Sequence, residues 1–281
     1  MKVAAPAPLR HAAAAGRRHL ADLPGALRDL PGALRELPAT LGRSALDLCL
    51  PPACPLCGAD GVPGPGRLTP RCRCAAAFAP ATAGWCGACG ASLGPYIPDA
   101  VDCAHCRREK AFPFGGCVSL GQHEGELRAA VLAAKGPHGR PAARALGEAL
   151  LDARGNVMRG WGVDLVAPVP HHWRDALARP FLPPGELAAA LAAGLGVPHR
   201  PRLLRKVIRT ARQASLTPTD RRGNLTGSFT VRSPGAVPGR RVLLCDDVLT
   251  TGTTARRATA ALRSAGADAV FVAVFARGVG R

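Results

Sequence analysis

The stretch VLLCDDVLTTGTTARRATAALRSAGA at residues 242–267 decides the fold. An apolar run from Val242 to Cys245 ends in two acids, Asp246 and Asp247. The segment Thr250-Thr251-Gly252-Thr253-Thr254 follows, then an amphipathic stretch that runs to Gly266. The spacing predicts a strand over 241–247 (RVLLCDD), a helix over 254–266 and a second buried strand over 269–275 (AVFVAVF), which together make a parallel βαβ unit. Acids at the end of such a strand stand where an open α/β sheet presents its ligand-binding groups. An ionised carboxylate accepts two hydrogen bonds from a vicinal diol and can also hold a Mg²⁺-bound water. The threonine hydroxyls, a glycine that lets backbone approach closely, and the unpaired N–H groups of the next helix suit a phosphate. The segment is therefore a pocket for a ribose 5-phosphate. It lacks the Gly-Lys-Ser/Thr ending of a Walker loop.

Upstream, ELRAAVLAAK (126–135) and PAARALGEALLD (141–152) have helical periodicity, the second with Pro141 at a favourable first-turn position. VDLVAPVP (163–170) is expected as a buried strand that stops at its prolines, and ELAAALAAGLG (186–196) as the helix after it. The stretch from His199 to Asn224 is expected as a basic loop. In it Arg202, Arg205, Lys206, Arg209, Arg212, Arg221 and Arg222 are offset by the single acid Asp220, a cluster able to neutralise a diphosphate or a nucleic-acid backbone.

Between Cys49 and Cys117 the chain is rich in cysteine, glycine and proline. Cys86-x2-Cys89 and Cys103-x2-Cys106 have ribbon spacing, in which two tight knuckles bring four thiolates to one tetrahedral ion. Cys54-x2-Cys57 followed by Cys72-x-Cys74 is a less regular set, because Cys-x-Cys cannot form the same knuckle. Two zinc ions are expected; a single site, or interleaved pairing of the first pair with the third, remains open. Cys49, Cys117 and Cys245 sit in apolar settings and are expected in the core. Residues 1–48 repeat a seven-residue phrase, DLPGALR at 22–28 and 29–35 and ELPATLG at 36–42. A proline in each copy forbids one continuous helix, so this region is expected as an N-terminal arm.

Of the 281 residues, 47% are hydrophobic, enough for a packed core, and no run approaches the ~20 apolar residues needed to cross a bilayer. Neither a membrane span nor a secretory leader is expected, and a cytoplasmic protein is. The net charge of +18 favours polyanionic partners.

The segment at 242–267 closely resembles the PRPP (5-phosphoribosyl 1-pyrophosphate) binding motif of type I phosphoribosyltransferases. That resemblance implies that Asp246 and Asp247 bind the ribose hydroxyls and that Thr250, Thr251, Gly252, Thr253 and Thr254 bind the 5-phosphate. TARQASLTPTDRRGNLTGSF at 210–229, with Thr210, Gln213, Leu216, Arg221, Asn224 and Phe229 at matching intervals, narrows the likeness. With the cysteine module, GELRAAVLAAK ending at Lys135, and the Val-Pro-Val-Pro-like turn, it resembles the ComF family (ComFC/GntX type), linked to natural DNA uptake. The likeness covers about residues 49–277.

The resemblance implies an α/β fold with a type I phosphoribosyltransferase-like parallel sheet and flanking helices over 118–281, preceded by a small zinc-ribbon-like module over 49–117. It places a pyrophosphate-side loop at 167–171, with Val169, Pro170 and His171, and a flexible loop at 209–224, with Arg209, Thr210, Gln213, Arg221 and Asn224. Lys135 is carried over as the family's lysine. Implied ligands are PRPP with Mg²⁺, with single-stranded DNA and proteins of the uptake machinery as partners. A non-catalytic PRPP sensor, using the zinc module as an adaptor for protein or nucleic acid, is the alternative. The chain departs from the family pattern in three places: RPFLPPGELA (179–188) lacks the usual Asn-Gln pair, His123 stands for a tyrosine, and Gly136 stands for an aromatic.

Overall fold

The computed structural model describes residues 53–59, 74, 84–93, 103–108, 111–170, 181–207 and 228–278. In chain order the elements are α1 (Ala104–Arg108), β1 (Cys117–Val118), α2 (Gly125–Ala134), α3 (Arg140–Gly160), β2 (Leu165–Pro168), α4 (Pro183–Leu195), β3 (Leu204–Lys206), β4 (Phe229–Val231), β5 (Arg241–Leu249), α5 (Thr253–Ser264) and β6 (Ala269–Arg277).

β1, β6, β5 and β2 lie side by side in that order as a parallel sheet, with Cys117 opposite Val272, Leu244 opposite Val272 on the other side, and Leu165 opposite Val242. Strand periodicity sends alternate side chains to opposite faces. Leu243, Cys245, Phe271, Ala273 and Phe275 pack with α2, α3 and α4, whereas Val242, Leu244 and Val270 pack with Ala258 and Leu262 of α5. Helices cover both faces, so the central strands read as continuous apolar runs. A sheet of this kind opens its ligand crevice at the carboxyl ends of the strands, and β5 delivers both acids there.

The βαβ expectation holds, with β5 running on to Leu249 and β6 to Arg277. α3 extends to Gly160 beyond the expected 152, because Met158 continues its buried face past Leu150. The loop expected over 199–224 needs correcting at its start. Leu204–Lys206 pairs antiparallel with Phe229–Val231, and Leu204 and Phe229 sink into the cluster beneath α5. Burial of those two side chains outweighs the surrounding arginines, and three residues are too few to show a period. Among the described residues no helix is long and apolar enough to cross a membrane.

Candidate functional site

Asp246 and Asp247 are consecutive on β5, and their carboxyls lie close enough to interact. Asp247 meets Lys135, the C-cap of α2, whose Nζ lies 2.7 Å from its Oδ2. The backbone N–H of Asp247 donates to Asp246 Oδ1 (2.9 Å), and that of Val248 donates to Asp247 Oδ1 (2.7 Å), which fixes both carboxyl orientations. Desolvation at the half-buried Asp246, reinforced by the neighbouring Asp247 charge, raises its carboxyl to about 7, against the opposing pull of Lys135. The pair therefore favours a cation or hydroxyl donors that relieve its repulsion.

After Leu249 the chain turns through Thr250 and Thr251 into α5. Gly252 is the N-cap with φ 71° and brings no side chain of its own to the helix start. The Thr253 N–H makes only a long bond to Thr251 Oγ1 (3.5 Å), so the first turn of α5 can still offer N–H groups to a ligand. The Thr251 and Thr253 hydroxyls lie 3.0 Å apart at the same exposed end. A Cβ on Gly252 would sit 2.6 Å from Phe112 Cε1, so both the positive φ and the close approach require glycine.

Three contributors are not among the expected site residues, although His123 stands at a position of the family pattern. Arg277 is buried at the end of β6, and its guanidinium donates to the carbonyls of Leu249 (2.7 Å), Thr250 and Gly278, pinning the back of the loop. The backbone N–H of His123 donates to the Arg277 carbonyl (2.7 Å). Its imidazole is held below the usual histidine range by burial, then by the charges of Lys135 and Arg128, with Asp247 opposing. Arg256, in the first turn of α5, donates to the Ala111 carbonyl (2.6 Å) and lies over the Phe112 ring at 4.4 Å. A basic pair, Arg256-Arg257, at the positive end of a helix dipole runs against the usual preference and is a further sequence hint that an anion belongs there.

Of the other expected residues, Val169 continues the β2 ladder by donating to the Cys245 carbonyl (2.7 Å), which brings the Val169-Pro170 turn beside the acids. His171, Arg209, Thr210, Gln213, Arg221 and Asn224 lie outside the described residues, as does Cys72.

The cysteines form two groups. Cys86, Cys89, Cys103 and Cys106 place their sulfurs within 4.8 Å of one another, with Cys86–Cys106 and Cys89–Cys103 both 3.6 Å apart. Thiolates 2.3 Å from a tetrahedral zinc are spaced by about 3.8 Å, so the set fits that ion. Burial pushes the Cys89 thiol up to about 11, a penalty a cation would remove. Cys54, Cys57 and Cys74 gather within the same 4.8 Å limit. Two of the three x2 pairs fold alike: Gly58 donates to the Cys54 carbonyl and Cys54 to Ala59, while Gly90 donates to Cys86 and Cys86 to Ala91, each at 2.8 Å. The third, Cys103-x2-Cys106, leads into α1 instead of a second knuckle. The repeated Cys-x2-Cys-Gly-Ala, with Gly58 at φ 70° and Gly90 at φ 74°, is one knuckle used twice. Both groups can bind zinc. Cys117 and Cys245 are fully buried, as expected of core residues.

The Phosphoribosyl transferase domain family matches residues 186–280. Together with the parallel sheet and its flanking helices, that match defines a type I phosphoribosyltransferase-like fold. Competence protein F of Haemophilus influenzae is 30% identical over 199 residues, which span 69% of this chain and 84% of that protein. The chain belongs to the ComF family. Solved structures with similarity include the allosteric regulatory enzyme of purine biosynthesis (26% identity, 47% of this chain and 25% of that one, TM-score 0.34). Another is the glutamine phosphoribosylpyrophosphate amidotransferase of B. subtilis (25% identity, 49% and 27%, TM-score 0.35). The chain spans about a quarter of the length of each of these two.

Proposed function

We propose that this phosphoribosyltransferase-like, competence-related protein binds PRPP with Mg²⁺ and serves the handling of single-stranded DNA during uptake. The observation that carries the reading is the acid pair near the end of β5, followed at once by the threonine-lined start of α5 with Gly252 as its N-cap. In this reading Asp246 and Asp247 take the ribose hydroxyls, Thr250 to Thr254 the 5-phosphate, and Val169, Pro170 and His171 flank the diphosphate. The 209–224 segment, with Arg209, Thr210, Gln213, Arg221 and Asn224, closes over the ligand. Lys135 pairs with Asp247 at 2.7 Å and so orients that carboxylate beside the ligand. Mg²⁺ would be held through the acids and the diphosphate oxygens, supplying charge neutralisation as pyrophosphate departs. Two structural zinc ions hold the cysteine module, Cys72 completing the set with Cys54, Cys57 and Cys74.

Calorimetry with PRPP and Mg²⁺ tests the reading. Wild-type protein is expected to bind saturably, and Asp246→Asn with Asp247→Asn to abolish binding while the fold survives, since both changes keep shape and remove acceptor charge. Undiminished affinity in the double variant removes the basis for the site. Release of pyrophosphate with candidate acceptors marks a transferase; saturable binding without release marks a sensor.

A further inference from the structure

Phe112 belongs to two clusters at once. On one side it packs against the thiol set of Cys86, Cys89, Cys103 and Cys106 with Ala91 and Leu93. On the other it joins Phe114, Leu249, Ala255, Val272 and Val274, the apolar floor under the phosphate loop. Its ring stacks on Phe114 with centroids 4.9 Å apart, fills the space a Cβ on Gly252 would need, and lies beneath the Arg256 guanidinium. Arg256 in turn is tied to the backbone beside Phe112 through the Ala111 carbonyl. The knuckle on which Phe112 rests is itself fastened to the sheet: Cys117 N–H donates to the Gly87 carbonyl (2.7 Å), and Ser119 Oγ donates to the Gly90 carbonyl (2.6 Å).

We propose that Phe112 is a positioning residue for the phosphate loop, through which metal occupancy of the four-cysteine centre and phosphate binding at Gly252 and α5 reinforce each other. The inference rests on reading that loop as the ribose-phosphate site. Gly252 alone permits many backbone conformations, and a bulky ring wedged against it removes those that would turn the α5 N–H groups away. The ring holds that place only while the knuckle beneath it is ordered, and a small knuckle takes much of its folding energy from its ion. Ligand contact with α5 must stabilise the same wedge. By linkage, whatever factor metal adds to ligand affinity, ligand adds to metal affinity.

The full zinc-loaded chain is compared with Phe112→Ala and Phe112→Leu. PRPP affinity is measured by calorimetry, and alkylation of Cys86 and Cys106 under a zinc-selective chelator is followed by peptide mass spectrometry. In wild-type protein, PRPP with Mg²⁺ is expected to slow that alkylation by roughly 5- to 150-fold, the range of typical couplings. Phe112→Ala is expected to keep its zinc, to lose that protection, and to bind PRPP more weakly by the same factor, with Phe112→Leu restoring most of both. Wild-type affinity and protection in Phe112→Ala overturn the proposal. If that variant does not fold, the wild-type chain decides alone: alkylation unaffected by bound PRPP also overturns it. If wild-type protein binds no PRPP, the functional reading fails separately. Hydrogen exchange at residues 250–254 then decides: faster exchange on zinc removal supports the wedge, and unchanged exchange overturns it.

Discussion

The phosphate loop and the four-cysteine knuckle both gather ligand groups at a tight turn, but they hold them by different means. The loop is contiguous in sequence, grows out of the central strand, and is pinned by Arg277 through the carbonyls of Leu249 and Thr250. The knuckle joins residues 86–89 to 103–106, and its sulfurs face one another in pairs 3.6 Å apart. The loop is therefore anchored chiefly by hydrogen bonds and packing of the fold, whereas a small knuckle takes much of its folding energy from an ion. The difference teaches where each is vulnerable: the knuckle to metal loss, the loop to changes in charge or backbone at a few positions.

The largest expected effect follows from the knuckle. Elemental analysis of protein purified without chelator is expected to give two zinc ions per chain. Cys86→Ser is expected to remove one and to unfold the module while the sheet remains. Structural zinc supplies roughly 10–16 kcal/mol in small fingers, far more than so few apolar residues can replace. Absence of zinc, or a Cys86→Ser chain whose module stays protected from proteolysis, would break the contrast. Next in size is Gly252→Ala. A left-handed backbone costs a non-glycine residue roughly 1–2 kcal/mol, and the added Cβ would lie 2.6 Å from Phe112 Cε1. Thermal melts are expected to show a loss above that figure, and PRPP calorimetry a weaker site; unaltered values in both would mean that the loop is not prebuilt.

What could be read in advance follows the same division. The acid pair, the threonine loop and the 86–106 thiol set are local patterns, and the structure brings each together as its spacing implied. The Lys135–Asp247 pair is different: 112 positions separate the partners, and only the placement of α2 against the end of β5 makes them meet. Phe112 resembles any linker aromatic until Gly252 arrives beneath it. Arg277 follows seven buried residues of β6, which hide it as a strand end although it is itself buried. β3 and β4 are illegible because each is only three residues long, and β3 carries cations at both of its exposed positions.

A pH effect sharpens the charge side of the contrast. The Asp246 carboxyl is raised from 3.8 to about 7, first by desolvation and then by Asp247. Between those values the folded chain binds more protons than the unfolded one, so this group's contribution to stability falls as pH rises through the window and stays lowered above about 7. Asp246→Asn, which cannot ionise, is expected to stabilise the ligand-free protein relative to wild type at pH 8 and to make little difference near pH 4. Parallel stability curves for the two proteins from pH 4 to 8 would contradict the assigned shift.

The smallest effect concerns DNA, and it asks whether the surface beside the loop or the knuckle carries it. Arg200, Arg202, Arg205 and Lys206 are exposed around β3, at the root of the basic 202–222 stretch. Aromatics are only 4% of the chain, and Phe181, an available platform for a base, already lies under the Arg140 guanidinium at 5.7 Å. Electrostatics must then supply most of the affinity, because stacking needs open ring faces. Single-stranded DNA is expected to bind with weak sequence preference and with affinity falling as salt rises. Arg205→Ala and Lys206→Ala are each expected to flatten the log–log salt slope by about 0.7, one phosphate apiece, with base preference unchanged. Fluorescence anisotropy across a salt series reads this directly. If slope and affinity persist in the double variant but fall when Cys86→Ser unfolds the knuckle, DNA rides on the metal-held module, and the loop's arginines serve the ribose phosphate alone.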